Sequence, residues 1–149
     1  MDRRAFLWFA LAAGCSRAPS EDREHVPWSS SQVVTSAALA RELGEAPPPK
    51  VVHVGPPQLF RSERVPGAVH TGEGGDAEGL AALERWLTPL ERDARVVLYC
   101  GCCPYRNCPN IRPAFHKAVA LGFTRVRVLD LPTRFKEDWT AHGLPVERG

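Results

Sequence analysis

Four cysteines lie close together in the second half of this 149-residue chain: Cys100, Cys102, Cys103 and Cys108. A fifth, Cys15, stands apart near the start of the sequence. As thiolates, cysteines act as nucleophiles, exchange disulfides and bind soft metal ions. The segment that contains the four neighbouring thiols is therefore the first candidate for a functional site.

A predicted strand and a predicted helix flank the cysteine cluster. The run 95–99 is a strong strand pattern that leads directly into Cys100, and a helix is predicted over 111–121 with Asn110 as its cap. In open α/β sheets, ligands bind beyond the carboxyl ends of strands, where a helix N-terminus offers unpaired N–H groups and partial positive charge. We expect that environment to lower the pKa of Cys100 and make it a nucleophile. The alternative is a small buried residue at a strand end.

The remaining pattern alternates strands with helices. Strands are predicted over 51–54 and 125–129, and helices over 37–43, 77–90 and 133–140, with Ser36 as the first cap and a loop after residue 55. The length suits one domain. This alternation predicts a three-layer α/β fold with a mostly parallel central sheet and helices on both faces.

The first residues resemble an export signal. Arg3 and Arg4 precede an apolar run over 5–13, which is the order of a charged region, an apolar region and a cleavage region. The run has about nine residues, whereas a membrane-spanning helix needs ~20. The segment 11–15 resembles a bacterial lipobox, which predicts cleavage before Cys15 and lipidation of its thiol. An ordinary cleaved signal is the alternative, and the export route is either the twin-arginine or the general one.

The chain is accordingly predicted to have three parts: a signal peptide over 1–14, a flexible Pro/Ser-rich tether over 15–32, and a folded domain over 33–149. Lipidated Cys15 would make the membrane a partner and hold the domain on the periplasmic side. The 19 Lys+Arg and 17 Asp+Glu leave a net charge of +2, so no nucleic-acid partner is expected.

Several segments of the domain resemble the rhodanese-like family. The strand 96–100 is similar to the one that leads to the family's sulfur-carrying cysteine, and 64–68 is similar to its His-Ile-Pro-Gly-Ala turn. The segments 121–126 and 139–146 match its closing helix, strand and tail. The resemblance implies a rhodanese-like three-layer domain.

The resemblance also implies a sulfurtransferase. Cys100 would attack a sulfane sulfur donor such as thiosulfate, hold the sulfur as a persulfide and pass it to a thiol or another thiophilic acceptor. No cofactor or resident metal ion is implied. The residues expected to bind the anionic donor are Gly101, Cys102, Cys103, Arg106 and Arg112.

Two features depart from the family's pattern. The first core strand usually carries Asp-Val-Arg, whereas this chain has His53, Val54 and Gly55. His53 is predicted to be a hydrogen-bonded core residue rather than a catalytic base. The loop over 100–109 is also longer than usual, contains prolines and has three additional thiols.

These departures leave other functions open. The spacing of Cys100 and Arg106 is the Cys-x5-Arg of cysteine phosphatases and some arsenate reductases, which bind an oxyanion. Cys102, Cys103 or Cys108 could resolve an oxidised Cys100 in a thiol–disulfide redox protein, or form a disulfide that braces the loop. A thiol metal-binding module and an inactive binding domain are the remaining alternatives.

Overall fold

The computed structural model describes residues 25–149. The predicted signal peptide 1–14, Cys15 and the first part of the tether lie outside the described residues. The elements in chain order are β1 (Val33–Thr35), α1 (Ser36–Glu42), β2 (Lys50–His53), α2 (Pro57–Ser62), β3 (Val69–His70), α3 (Ala77–Leu87), β4 (Val96–Tyr99), α4 (Ile111–Ala120), β5 (Val126–Asp130) and α5 (Phe135–Asp138). No helix within this range is both long enough and apolar enough to cross a membrane.

The five strands form one sheet in the order β1-β5-β4-β2-β3, and each neighbouring pair is parallel. The central strand is β4, whose Val97 pairs with Val51 of β2 and Arg127 of β5. Parallel order places the carboxyl ends of all strands at one edge of the sheet. Cys100 follows β4 directly and therefore lies at the middle of that edge.

Both faces of the sheet are covered. Val96 and Leu98 of β4 belong to the core cluster that includes the buried faces of α3 and α4. Val97 and Tyr99 belong to the opposite cluster, which includes residues of α1 and α5. A short apolar run buried on both sides is typical of a central parallel strand. The predicted three-layer α/β fold is confirmed.

The structure contains three elements that the sequence pattern missed. The segment after residue 55 was predicted to be a loop, but Pro57 begins α2. Proline is tolerated in the first helical turn because its missing N–H is not needed there. The strands β1 and β3 have only three and two residues, too few to show a period.

Two predicted helices are shorter than expected, and one begins differently. The helix predicted over 77–90 ends at Leu87, and the closing helix covers only 135–138. The cap of α1 is Thr35 rather than Ser36, since the Thr35 hydroxyl accepts the N–H of Ala38 at 3.2 Å.

Part of the segment expected to be a tether packs on the domain. Trp28 is only 5% exposed, and its ring lies 6.0 Å from that of Tyr105 and 5.6 Å from that of Phe115, centre to centre. Aromatic pairs at these distances add to the stability gained from burial. Residues just before β1 thus cover the loop that carries the cysteines.

Candidate active site

Residues 100–110 join β4 to α4 and are fixed to a neighbouring segment. The Tyr105 N–H donates to the Leu131 carbonyl at 3.1 Å, and the Gly101 carbonyl accepts the Phe135 N–H at 3.2 Å. Gly101 has φ +77°, and a Cβ atom there would lie 2.7 Å from the Phe135 Cβ. Only glycine suits both the backbone angle and the close approach. The loop is therefore held by the start of α5 as well as by its own ends.

The loop brings the predicted cysteines together. The Sγ atoms of Cys100, Cys102 and Cys108 all lie within 4.8 Å of one another. The Cys100 Sγ is 3.1 Å from the Cys102 Sγ, which in turn is 3.1 Å from the Cys103 Sγ. Cys100 and Cys108 are buried, the other two are half-buried, and all four are free thiols. We call Cys100, Cys102 and Cys108 the thiol cluster.

The negative charge of the thiol cluster is favoured at Cys108. The Cys100 thiol is the largest factor that lowers the pKa of Cys108, to about 6, and the backbone N–H groups of Asn110 and Ile111 at the start of α4 add to it. Cys108 and burial together raise the pKa of Cys100. This differs from the expectation that the helix N–H groups would favour a Cys100 thiolate. The long loop places Cys108, not Cys100, next to the helix N-terminus.

Asn110 connects the thiol cluster to a glycine-containing loop. Its Nδ2 donates to the Cys100 Sγ at 3.5 Å, and its Oδ1 accepts the Gly75 N–H at 3.0 Å. The residue occupies the cap position of α4, as predicted, but its side chain makes no capping hydrogen bond. Asparagine is common at helix caps, so the sequence alone favoured that role and not the contact with Cys100.

A cavity of about 390 Å³ lies at the carboxyl edge of the sheet and is lined by Cys100. Arg134 and Lys136 line it as well, together with the carboxylates of Glu63 and Glu137. Arg134 pairs with Glu137 at 2.8 Å, whereas Lys136 forms no ion pair within residues 25–149. Neither cation could be predicted from the sequence, because nothing in its spacing relates it to the cysteines. Arg134 and Lys136 place two cations in the cavity that Cys100 lines, together with these two carboxylates.

The two arginines expected at the donor site lie elsewhere. Arg112 donates to the carbonyls of His25 and Arg106 at 2.9 and 2.8 Å, so it braces the loop and the preceding segment. Arg106 is exposed, with its guanidinium 5.6 Å from the centre of the Tyr105 ring. Neither side chain lines the cavity. In this arrangement neither arginine faces the cavity that Cys100 lines, so the expected roles of Arg106 and Arg112 in anion binding stay predictions.

His53 is a buried core residue that also lines the cavity. It is 1% exposed, and its Nδ1 accepts the Gly55 N–H at 3.3 Å. Burial, followed by the nearby His70, lowers the pKa of His53 to about 3. The imidazole is accordingly neutral and contributes no positive charge. The prediction of a hydrogen-bonded core histidine is confirmed.

The chain is a parallel α/β domain with a cysteine directly after its central strand. Comparison with known proteins shows which family of such domains it belongs to. A family model described as "Rhodanese-like domain" matches residues 35–131, and the chain belongs to that family. None of the curated proteins compared with the chain matches it significantly.

Solved structures are similar in fold. The BH2092 protein from Bacillus halodurans is 22% identical, with a TM-score of 0.61 over 79% of this chain and 77% of that one. The rhodanese-like domain of Alr3790 from Anabaena is 16% identical, with a TM-score of 0.56 over 79% and 80%. A rhodanese-related protein from Thermoplasma volcanium is 16% identical, with a TM-score of 0.55 over 79% and 99%.

Proposed function

We propose that the protein is a sulfurtransferase that carries sulfane sulfur as a persulfide on Cys100. The main support is the position of Cys100 in a rhodanese-like domain: it follows the central strand and lines the cavity at the carboxyl edge of the sheet. Ligands of open α/β folds bind at this edge. A donor in the cavity would therefore lie next to Cys100, whose buried thiol has to turn toward the cavity to react.

The reaction has two steps. In the first, the Cys100 sulfur attacks the outer sulfur of a donor such as thiosulfate, the bond from that sulfur to the sulfonate group breaks, and sulfite leaves. The thiol proton ends on the new persulfide, so the step needs no oxidant or reductant. In the second, the thiolate of an acceptor attacks the outer sulfur of the persulfide and Cys100 leaves with its bonding electrons.

The cavity that Cys100 lines contains two cations that are candidates for binding an anionic donor, beside the carboxylates of Glu63 and Glu137. Lys136 has no ion-pair partner among the described residues, and Arg134 shares its charge with Glu137. A cation near a bound anion contributes through charge-assisted hydrogen bonds. We assign donor binding to Lys136 and Arg134 in place of Arg106 and Arg112.

Sulfite release tests this function. The full chain is mixed with thiosulfate and a small thiol acceptor, and sulfite is measured over time for the wild type, Cys100→Ser and Cys103→Ser. We expect turnover to be lost in Cys100→Ser and kept in Cys103→Ser, a control from the same loop whose side chain was expected to bind the donor but does not line the cavity. Equal rates in wild type and Cys100→Ser would refute the proposal.

Thiol–disulfide exchange is a second candidate, supported by the 3.1 Å between the Sγ atoms of Cys100 and Cys102. A small disulfide such as oxidised glutathione would accept the two electrons, joining the two cysteines and releasing two small thiols. Peptide mapping after this treatment tests the idea. Two results together would favour redox exchange over sulfur transfer. They are a Cys100–Cys102 disulfide after this treatment and no turnover with thiosulfate.

We also propose that the domain acts on the periplasmic side of a bacterial membrane, anchored through lipidated Cys15. The support is the order of charged, apolar and small residues before Cys15 in the sequence. Detergent-phase partition of the wild type and Cys15→Ser, expressed in bacteria, tests the anchor. We expect the wild type in the detergent phase and the variant in the aqueous phase; the same phase for both would contradict it.

A further inference from the structure

The three sulfurs of the thiol cluster can also act as ligands, a property that does not depend on sulfur transfer. Three cysteine sulfurs from two parts of one loop converge within 4.8 Å of one another. We propose that Cys100, Cys102 and Cys108 form a binding site for one soft, thiophilic metal ion of the copper(I) class.

The spacing of the sulfurs suits a single ion. At a metal–sulfur distance of ~2.3 Å, three sulfurs arranged in a plane around one ion lie about 4.0 Å apart. The observed separation of Cys100 from Cys102 is 3.1 Å, and no pair in the cluster exceeds 4.8 Å. One pair is closer than the required value and no pair can exceed the 4.8 Å bound, so small side-chain rotations would complete the site.

The donor set selects the class of metal. The cluster consists of three thiols, with no imidazole or carboxylate among its members. Thiolates are soft ligands that favour copper(I), zinc and iron–sulfur clusters, and structural zinc sites take four protein ligands. Cys103 follows Cys102 directly and is not part of the group. A set of three sulfurs therefore suits copper(I) better than a tetrahedral zinc ion.

The residues around the thiol cluster hold its sulfurs in place and shield them from water. Cys100 and Cys108 are completely buried in the same core cluster as Trp28 and Tyr105, which limits access of water to the sulfurs. Asn110 donates a hydrogen bond to the Cys100 Sγ and so orients one of the three ligands. Half-buried Cys102 provides the route by which an ion enters. Each thiol that coordinates the ion releases its proton to solvent, and copper remains in the +1 state.

Anaerobic titration of the reduced full chain with copper(I), in the presence of a chromophoric copper(I) chelator, tests the site. We expect the wild type to withdraw one copper(I) per chain from the chelator and to gain a sulfur-to-copper absorption band in the near ultraviolet. Zinc(II) should be held more weakly than copper(I). Cys103→Ser is the matched control: its sulfur is 3.1 Å from the Cys102 Sγ but lies outside the thiol cluster, so the variant should keep both the stoichiometry and the absorption band.

Two variants separate loss of ligands from loss of fold. Cys108→Ser removes a buried ligand and Cys102→Ser removes a half-buried one, and circular dichroism verifies that each remains folded. Both are expected to lose the one-to-one retention of copper(I). The inference is overturned if the wild type fails to compete with the chelator, or if folded Cys102→Ser binds copper(I) as well as Cys103→Ser does.

Discussion

Gly55 lies directly against Cys100. A Cβ atom on residue 55 would be 2.5 Å from the Cys100 Sγ and 3.0 Å from the Cys100 carbonyl oxygen. The family's Asp-Val-Arg pattern places an arginine at this position, whereas this chain has glycine. In this structure the sulfur of Cys100 occupies the space in which a longer side chain at residue 55 would begin.

Replacing Gly55 with alanine should displace Cys100. We expect the rate of sulfite release to fall on the order of 100-fold, because a displacement of about 1 Å can cost that much. Overpacking should also destabilise the fold by about 1–3 kcal/mol, measured by urea unfolding. Gly44→Ala is the control, since its Cβ would lie 3.4 Å from the Arg41 carbonyl, an ordinary contact. An unchanged rate in Gly55→Ala would show that this contact does not position the thiol.

Removing the Asn110 side chain should weaken the support of the thiol cluster. Asn110→Ala leaves the Gly75 N–H without its acceptor and Cys100 without its donor, which should cost about 1–3 kcal/mol of unfolding free energy. Urea unfolding measures the loss. Exposed Asn107 lies in the same loop, and Asn107→Ala should stay within about 0.5 kcal/mol of the wild type. Equal stabilities for the two variants would contradict the bracing role.

Removing the cations of the cavity should weaken donor binding. We expect Lys136→Ala and Arg134→Ala to raise the KM for thiosulfate several-fold with a smaller change in kcat, because in the proposed mechanism they bind the donor and do not act on the reacting bond. Arg125→Ala removes a charge that does not line this cavity and serves as the control. Arg106→Ala should also leave KM unchanged. A rise in KM confined to Arg106→Ala would instead favour the Cys-x5-Arg oxyanion alternative.

Acid should break the stabilising ion pair of Glu42 and Arg127, which lies at the end of the sheet opposite to Cys100. Glu42 accepts two hydrogen bonds from Arg127, at 2.9 and 2.6 Å, and these lower the pKa of Glu42 from its ordinary 4.5. Because the folded-state pKa is the lower one, the stabilisation is complete above the ordinary pKa and is lost as the pH falls through the folded value.

Urea unfolding at two pH values tests this assignment. Glu42→Gln should be less stable than the wild type at pH 7, and the difference should shrink toward pH 3. Glu91→Gln, at an exposed position, should show no such dependence. A difference for Glu42→Gln that stays constant between the two pH values would contradict the assignment.

The long elements and the cysteine loop could be predicted from the sequence, because α3 and α4 have apolar residues at helical spacing with recognisable ends, and β4 is a continuous apolar run. The edge strands and α2 could not, since they are short and α2 begins with a proline. The ionisation of the thiol cluster depends on how the loop folds: its path places Cys108 beside the N–H groups of Asn110 and Ile111. Spacing alone does not reveal that path.

Thiosulfate should convert the Cys100 thiol to a persulfide. The reduced full chain is incubated with thiosulfate, and its intact mass and peptide masses are measured for the wild type, Cys100→Ser and Cys103→Ser. We predict one added sulfur atom on the peptide that contains Cys100 in the wild type and in Cys103→Ser, and none in Cys100→Ser. An unmodified wild type, or an adduct that persists in Cys100→Ser, would contradict the account.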